Sequence, residues 1–293
     1  MRRALLVATI LSLLAGAAAP ALAQFQRPTV FNGAPAAPWI SPPNAPGNEI
    51  GVFHFRRVFE LESVPASFTV HISADNRYRL FLNGEQISSG PQRSDLMHWR
   101  YETVDLAPHL QAGRNVLAAL VWNWGAERPV AQFSRRTAFL LQGDGPTEAA
   151  VNTGPEWKVL RNDGYAAIPV RGPAAGGYYA SPPGEAVDGS RYPWGWEELD
   201  FADEGWGAAA AGQGFRASRT QPRASNPFGG AGDWQLVPRS IPPMEEKPIR
   251  LPSGWTFNSA SWHWNVKSIL RASSPLAGTV HSCWSTHESY WSE

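Results

Sequence analysis

Ser73-Ala74-Asp75-Asn76-Arg77-Tyr78-Arg79-Leu80-Phe81-Leu82-Asn83-Gly84 is the stretch that decides the fold. Tyr78, Leu80 and Leu82 alternate with Arg77, Arg79 and Phe81, the period of a strand whose successive side chains point to opposite faces. Asn83-Gly84 supplies the two positive-φ positions of a type I′ hairpin, so 85–88 is predicted to return as the partner strand. Asp75-Asn76 is a turn signal at the other end. Upstream, Phe68, Val70 and Ile72 alternate with Thr69, His71 and Ser73, and Phe53, Phe55, Phe59 and Leu61 share one face of 53–61. Downstream, 105–110 is predicted as a short helical or 3₁₀ turn capped by Asp105. Gly113-Arg114-Asn115 then turns the chain into 116–124, apolar on both faces, the pattern of a strand covered from both sides. A further strand at 137–142 ends at Gly143-Asp144-Gly145. Strands of about six residues, with turn signals about every 8–12, predict an all-β sandwich.

Composition agrees. The 293 residues include 26 Pro and 27 Gly, too many breakers for a large helical domain. Lys and Arg number 25 against 25 Asp and Glu, so there is no basic face of the kind nucleic acid requires. A single Cys cannot close an intramolecular disulfide.

The organisation along the chain is uneven. Residues 1–23 have the form of a signal peptide: Arg2 and Arg3, an apolar run over 4–19, and a small-x-small site at Ala21-Leu22-Ala23. The mature protein is therefore expected to start near Gln24, to be exported to the periplasm or secreted, and to be membrane-free after cleavage. Residues 24–48 form a Pro- and Ala-rich lead-in expected to dock through Trp39. The sandwich is placed at 49–145. The second half, 146–252, is loop-rich, with a strand at 157–160, a turn packing Phe201 on Trp206, and an exposed loop at 221–232. Residues 253–293 are atypical: they hold ten Ser, five Trp, the only Cys and no Asp. They are expected to be a disordered, out-of-frame or truncated end.

Several segments have a familiar order. Trp39-Ile40-Ser41-Pro42-Pro43, then Val52-Phe53-His54-Phe55-Arg56-Arg57-Val58-Phe59, resembles the opening of bacterial alpha-L-rhamnosidases. The 73–84 hairpin resembles their sugar-module hairpin. Tyr101 to Leu110 followed by Gly113-Arg114-Asn115-Val116-Leu117 is similar to their turn and buried strand. Gly184-Glu185 to Asp188, Trp194-Gly195-Trp196 and 200–206 also resemble the N-terminal region of that family. The resemblance covers about 39–250 and implies a galactose-binding-like jelly-roll sandwich. It also implies an inverting glycoside hydrolase whose acid and base lie in a later (α/α)-barrel. About 140 helical residues would be needed for twelve average helices, and no such stretch follows residue 251 in this sequence. No catalytic residue is therefore transferred.

Inversion needs two carboxyl groups about 6.5–9.5 Å apart. The pairs Glu60/Glu62, Glu102/Asp105, Glu197/Glu198, Asp200/Asp203 and Glu245/Glu246 read better as solvated loop groups or caps. A sugar site needs less: aromatic faces for the ring, and fixed polar groups for its hydroxyls. Asp75, Asn76, Arg77, Arg93, Asp95, His98 and Trp99, in or beside the turns flanking the hairpin, form the candidate carbohydrate-binding set. Trp122, Asn123 and Trp124 with Tyr192, Trp194 and Trp196 form a second group. The competing readings are an Asx turn at Asp75-Asn76, tryptophans filling a core, and packing against a neighbouring domain. His54, His71, His98 and His109 lack metal-ligand spacing. No cofactor is expected; a structural Ca²⁺ suits such sandwiches, but no acidic loop calls for one.

The sequence thus predicts an exported, truncated, rhamnosidase-like accessory or carbohydrate-binding module, with rhamnose-containing glycans as its partners. An active alpha-L-rhamnosidase and a ligand-free structural remnant are the alternatives. Self-association is expected through the face that would meet a barrel, since large exposed apolar patches promote association.

Overall fold

Alternating apolar residues from both halves of the sequence meet in one layer between two sheets. The computed structural model describes residues 36–43, 47, 49–168, 182–211 and 234–246. The predicted signal peptide, the 221–232 loop and the 253–293 tail lie outside the described residues. The strands are β1 (Ile40–Ser41), β2 (Gly51–Leu61), β3 (Thr69–Asp75), β4 (Arg77–Leu82), β5 (Glu85–Gly90), β6 (Trp99–Asp105) and β7 (Gly113–Asn123). They continue as β8 (Ala138–Gly143), β9 (Lys158–Arg161), β10 (Tyr165–Ile168), β11 (Gly184–Val187), β12 (Gly207–Ala208), β13 (Ala210–Ala211) and β14 (Leu236–Pro238). One sheet has the order β13-β1-β8-β3-β6-β14, and the other β12-β9-β2-β7-β4-β5. The β6–β14 pair is parallel. Between these strands, helical structure among the described residues is limited to short 3₁₀ turns, and none is long enough to cross a membrane.

The period-two pattern gives the core. Phe53, Phe55, Phe59 and Leu61 of β2 face Val70 and Ile72 of β3, with Tyr78, Leu80 and Leu82 of β4 beside them. Phe139 sits among the rings of Phe55, Tyr78 and Trp157, with centroids 5.6, 6.2 and 5.5 Å away. Each such side chain removed from water contributes about 1.5–3 kcal/mol. The predicted hairpin forms between β4 and β5, with Asn83 at φ 51° and Gly84 at φ 86°. The Asp105 carboxylate accepts from the Ala107 and Phe68 N–H groups, which starts the predicted 3₁₀ turn at Ala107–His109. Trp39 docks as expected, stacked on Trp234 at 4.3 Å, while Ile40 enters the first sheet beside Phe139.

Both outer faces are covered, which explains why β2 and β7 are buried on two sides. Over the β2-β7-β4 face lies the segment at 192–206: Trp196 packs on His54 and Phe81 at 4.4 and 5.3 Å. Phe201 packs on Trp206 at 5.7 Å, as predicted. Over the other sheet, Trp39, Trp99 and Trp234 join Leu96, Ala138 and Leu140 in a second apolar cluster. Sequence reasoning missed the β10–β11 ribbon, because its short strands, Tyr165–Ile168 and Gly184–Val187, stand well apart in the sequence. The two sheets draw strands from both sides of residue 145. A separate unit begins at Met244, and only 244–246 of it are described.

Candidate functional site

Asp75 and Asn76 stand where the chain leaves β3 in one sheet and enters β4 in the other. That corner is tied from every side. The buried Asp75 carboxylate accepts from Ser134 Oγ (2.7 Å), Arg136 N–H (3.1 Å) and Trp234 Nε1 (3.1 Å), from the Arg135 N–H, and from Asn76 Nδ2 (2.8 Å). Burial pushes this carboxyl up, against hydrogen bonds that favour its charged form. Asn76 donates its N–H to Trp122 O (3.1 Å) and accepts from Trp124 N–H (2.9 Å). The pair joins two sheets, a larger task than the local Asx turn the sequence suggests.

Three more members of the set serve local structure. Asp95 accepts from the Met97 and His98 N–H groups at 2.7 and 3.0 Å and from His98 Nδ1 at 3.1 Å. Burial works against its ionisation, but these bonds outweigh it and hold the carboxyl below the usual range. His98 is exposed, and Trp99 is buried in the second apolar cluster.

Arg77 and Arg93 differ. Neither guanidinium makes a hydrogen bond or ion pair among the described residues, although both side chains are half-buried, and Arg93 Nε is wholly enclosed. Burial first, then the charge of Arg93, lowers the Arg77 pKa; Arg239 repels it as well, and Glu102 opposes them. Glu102 is already engaged, accepting from Gln92 N–H (2.8 Å) and Arg239 Nη1 (2.9 Å). Burial still pushes its carboxyl up, with Arg239 the leading opposing charge. The Gln92 side chain binds Ser240 in turn, donating from Nε2 to Oγ (3.1 Å) and accepting its N–H (2.9 Å). A Cβ on Gly90 would lie 2.8 Å from Glu102 Cγ, so a larger residue there would displace the Glu102 side chain.

The second aromatic group divides. Trp196 is buried under the covering segment, and Asn123 is tied to Ser134 Oγ (3.2 Å) and Gly125 N–H (2.7 Å). Trp122 shares the outer face of its sheet with Arg77 and Val52 and meets Trp124 edge-on at 6.2 Å. Trp194 is 63% exposed; its Nε1 donates to Gly189 O (2.7 Å) and its ring lies 4.6 Å from Tyr192.

Residues 63–228 match the family model described as the alpha-L-rhamnosidase N-terminal domain, more than half of the chain. The chain belongs to that family. Among solved structures it is similar to the GH78 family rhamnosidase of Bacillus sp. GL1, at 26% identity and a TM-score of 0.56, over 71% of this chain and 20% of that one. It also resembles the alpha-L-rhamnosidase from Dictyoglumus thermophilum, at 17% identity and a TM-score of 0.48, over 71% of this chain and 22% of that one. The chain thus spans about a fifth of each of these rhamnosidases. No curated protein matches it.

In this N-terminal rhamnosidase domain, three of the carboxylates weighed in the sequence have other work. Asp203 is bonded to Arg56 Nε (2.9 Å) and Lys158 Nζ (2.7 Å). Burial opposes its ionisation, but these two cations prevail and lower its pKa. Glu102 serves Arg239, and Asp105 accepts the Phe68 and Ala107 N–H groups. Sequence reasoning missed the roles of Glu102, Gln92, Arg239 and Ser240, because the parallel β6–β14 pairing brings together residues with nothing local in common. Among the described residues, no three His, Cys, Asp or Glu side chains gather as metal ligands.

Proposed function

We propose that this protein is an exported accessory module of the rhamnosidase type, contacting rhamnose-containing glycans without hydrolysing them. The match of 63–228 to the alpha-L-rhamnosidase N-terminal domain carries this reading. It is supported by the engagement of Glu102, Asp105 and Asp203 in ion pairs and caps, whereas acid–base inversion needs two carboxyl groups poised across the scissile bond. Calorimetry with L-rhamnose and rhamnose-containing oligosaccharides tests the binding: heat with at least one of them is expected, and silence across the panel refutes the proposal. Release of rhamnose from an aryl rhamnoside, abolished by substituting a named carboxylate, would instead make the chain an enzyme.

A further inference from the structure

Several charged groups gather where the edge of one sheet, β4 and β5, meets the edge of the other, β6 and β14. Arg77 begins β4, Arg93 follows β5, Glu102 lies in β6, and Arg239 follows β14. Arg239 and Arg77 act on the Glu102 carboxylate, and Arg93 adds its charge beside Arg77. Arg239 has its partners: Glu102 Oε1, Ile241 O and Pro242 O at 2.9, 2.8 and 2.9 Å. Gln92 N–H supplies Glu102 with a second donor. Arg77 and Arg93 are left half-buried, with no acceptor among the described residues.

The two cations repel one another in a partly desolvated place, and the enclosed Arg93 Nε has no acceptor. Guanidinium is a planar fork of donors that matches a carboxylate in two parallel bonds. A neutral sugar hydroxyl would satisfy single N–H groups and leave the charge excess unrelieved. Trp122 stands opposite Arg77 across the β4–β7 pair and so shares its sheet face, and aromatic faces are what a sugar ring packs on.

We propose that Arg77 and Arg93 receive a carboxylate of the bound glycan, so that the ligand class is an acidic, uronic-acid-bearing rhamnoside. This rests on the carbohydrate-contacting reading above and narrows it. The probes are an oligosaccharide of alternating rhamnose and galacturonic acid, and the same oligosaccharide after reduction of its carboxyl groups to alcohols. In calorimetry with the full chain, the acidic form binds at least about ten-fold tighter than the reduced form, the scale of one charged hydrogen bond. Its affinity falls as salt rises, because the contact is ionic. Arg77→Met and Arg93→Gln each weaken the acidic form by more than the reduced form, so that the ratio between the two falls towards one. Equal binding of the two forms overturns the carboxylate receptor while sustaining sugar binding. Binding of neither overturns the sugar-contacting reading and this inference with it. Unchanged selectivity in both variants, with native circular dichroism, also overturns it.

Discussion

Arg56 and the Arg77–Arg93 pair belong to one β-sandwich and could hardly be placed more differently. Arg56 is 1% exposed. Its Nε meets Asp203, its Nη1 donates to the Trp196 and Glu198 carbonyls, and its carbon lies 5.2 Å from the Phe201 centroid. Only Nη2 goes without a hydrogen bond. All these partners come from 196–203, so one guanidinium fastens the covering segment to the sheet. Arg77 and Arg93 have no acceptor from the described chain. Arg56 draws its partners from its own chain, whereas Arg77 and Arg93 are left open to the proposed ligand. The comparison can be broken at either end.

The largest effect is expected from Arg56→Met. It leaves the buried Trp196 carbonyl and the part-buried Glu198 carbonyl without their donor and Asp203 with Lys158 alone, and breaking a fully buried pair, the upper limit here, costs about 3–5 kcal/mol. Urea unfolding should show that loss, and a change under about 1 kcal/mol would mean the segment docks on its aromatic contacts alone. Next comes Asp75→Ala, which removes the acceptor that the Ser134 hydroxyl, two backbone N–H groups and Trp234 Nε1 share. At about 1–3 kcal/mol for a stranded group, the loss should reach at least about 2 kcal/mol in the same assay. Trp234→Phe should cost less on the hydrogen-bond side, because it removes one donor and leaves the carboxylate its others.

Asp75 also marks the limit of what the sequence discloses. Period-two alternation in 53–61, 68–72 and 78–82 reveals the strands and their inward faces, because one buried face is a local constraint. The type I′ turn is equally local. Asp75-Asn76 is visible as a turn, but its partners at 134–136 and 234 lie far along the chain, and no periodicity links them. The covering segment is legible only as aromatics: Phe201 and Trp206 announce a packed turn, while the Arg56–Asp203 bond has no local signal. Of the candidate sugar set, Asp95, His98 and Trp99 are indistinguishable in sequence from Arg77 and Arg93. What separates them is whether a partner is already present.

A smaller and pH-dependent effect tests the covered face again. His54 lies under Trp196 and beside Asn162, its Nε2 3.0 Å from Asn162 Nδ2, and burial lowers its pKa to about 3. Below its ordinary value near 6.5, the unfolded chain takes up a proton that the folded chain refuses. Stability from this site is therefore full above about pH 6.5 and is lost as pH falls towards 3, by at most about 1.4 kcal/mol per pH unit. Urea midpoints between pH 7 and 4.5 should fall more steeply for the native chain than for His54→Gln. Parallel curves would mean that the covering segment opens to admit the proton.

The smallest effect is predicted at the other end, where a null result is informative. Arg77→Met and Arg93→Gln remove cations with no acceptor in the described structure, so unfolding free energy without ligand should move by no more than about 0.5 kcal/mol. For Arg77→Met the direction should be upwards, because relief of repulsion from Arg93 and Arg239 accompanies the loss of the charge, while Arg239 retains Glu102. Raising the salt concentration should narrow the difference from the native chain, since screening weakens the same repulsion. A loss of 2 kcal/mol or more would instead place these two arginines beside Arg56 as architectural groups with partners of their own. The contrast would then collapse, and the ligand-directed reading of the sheet edges would fall with it.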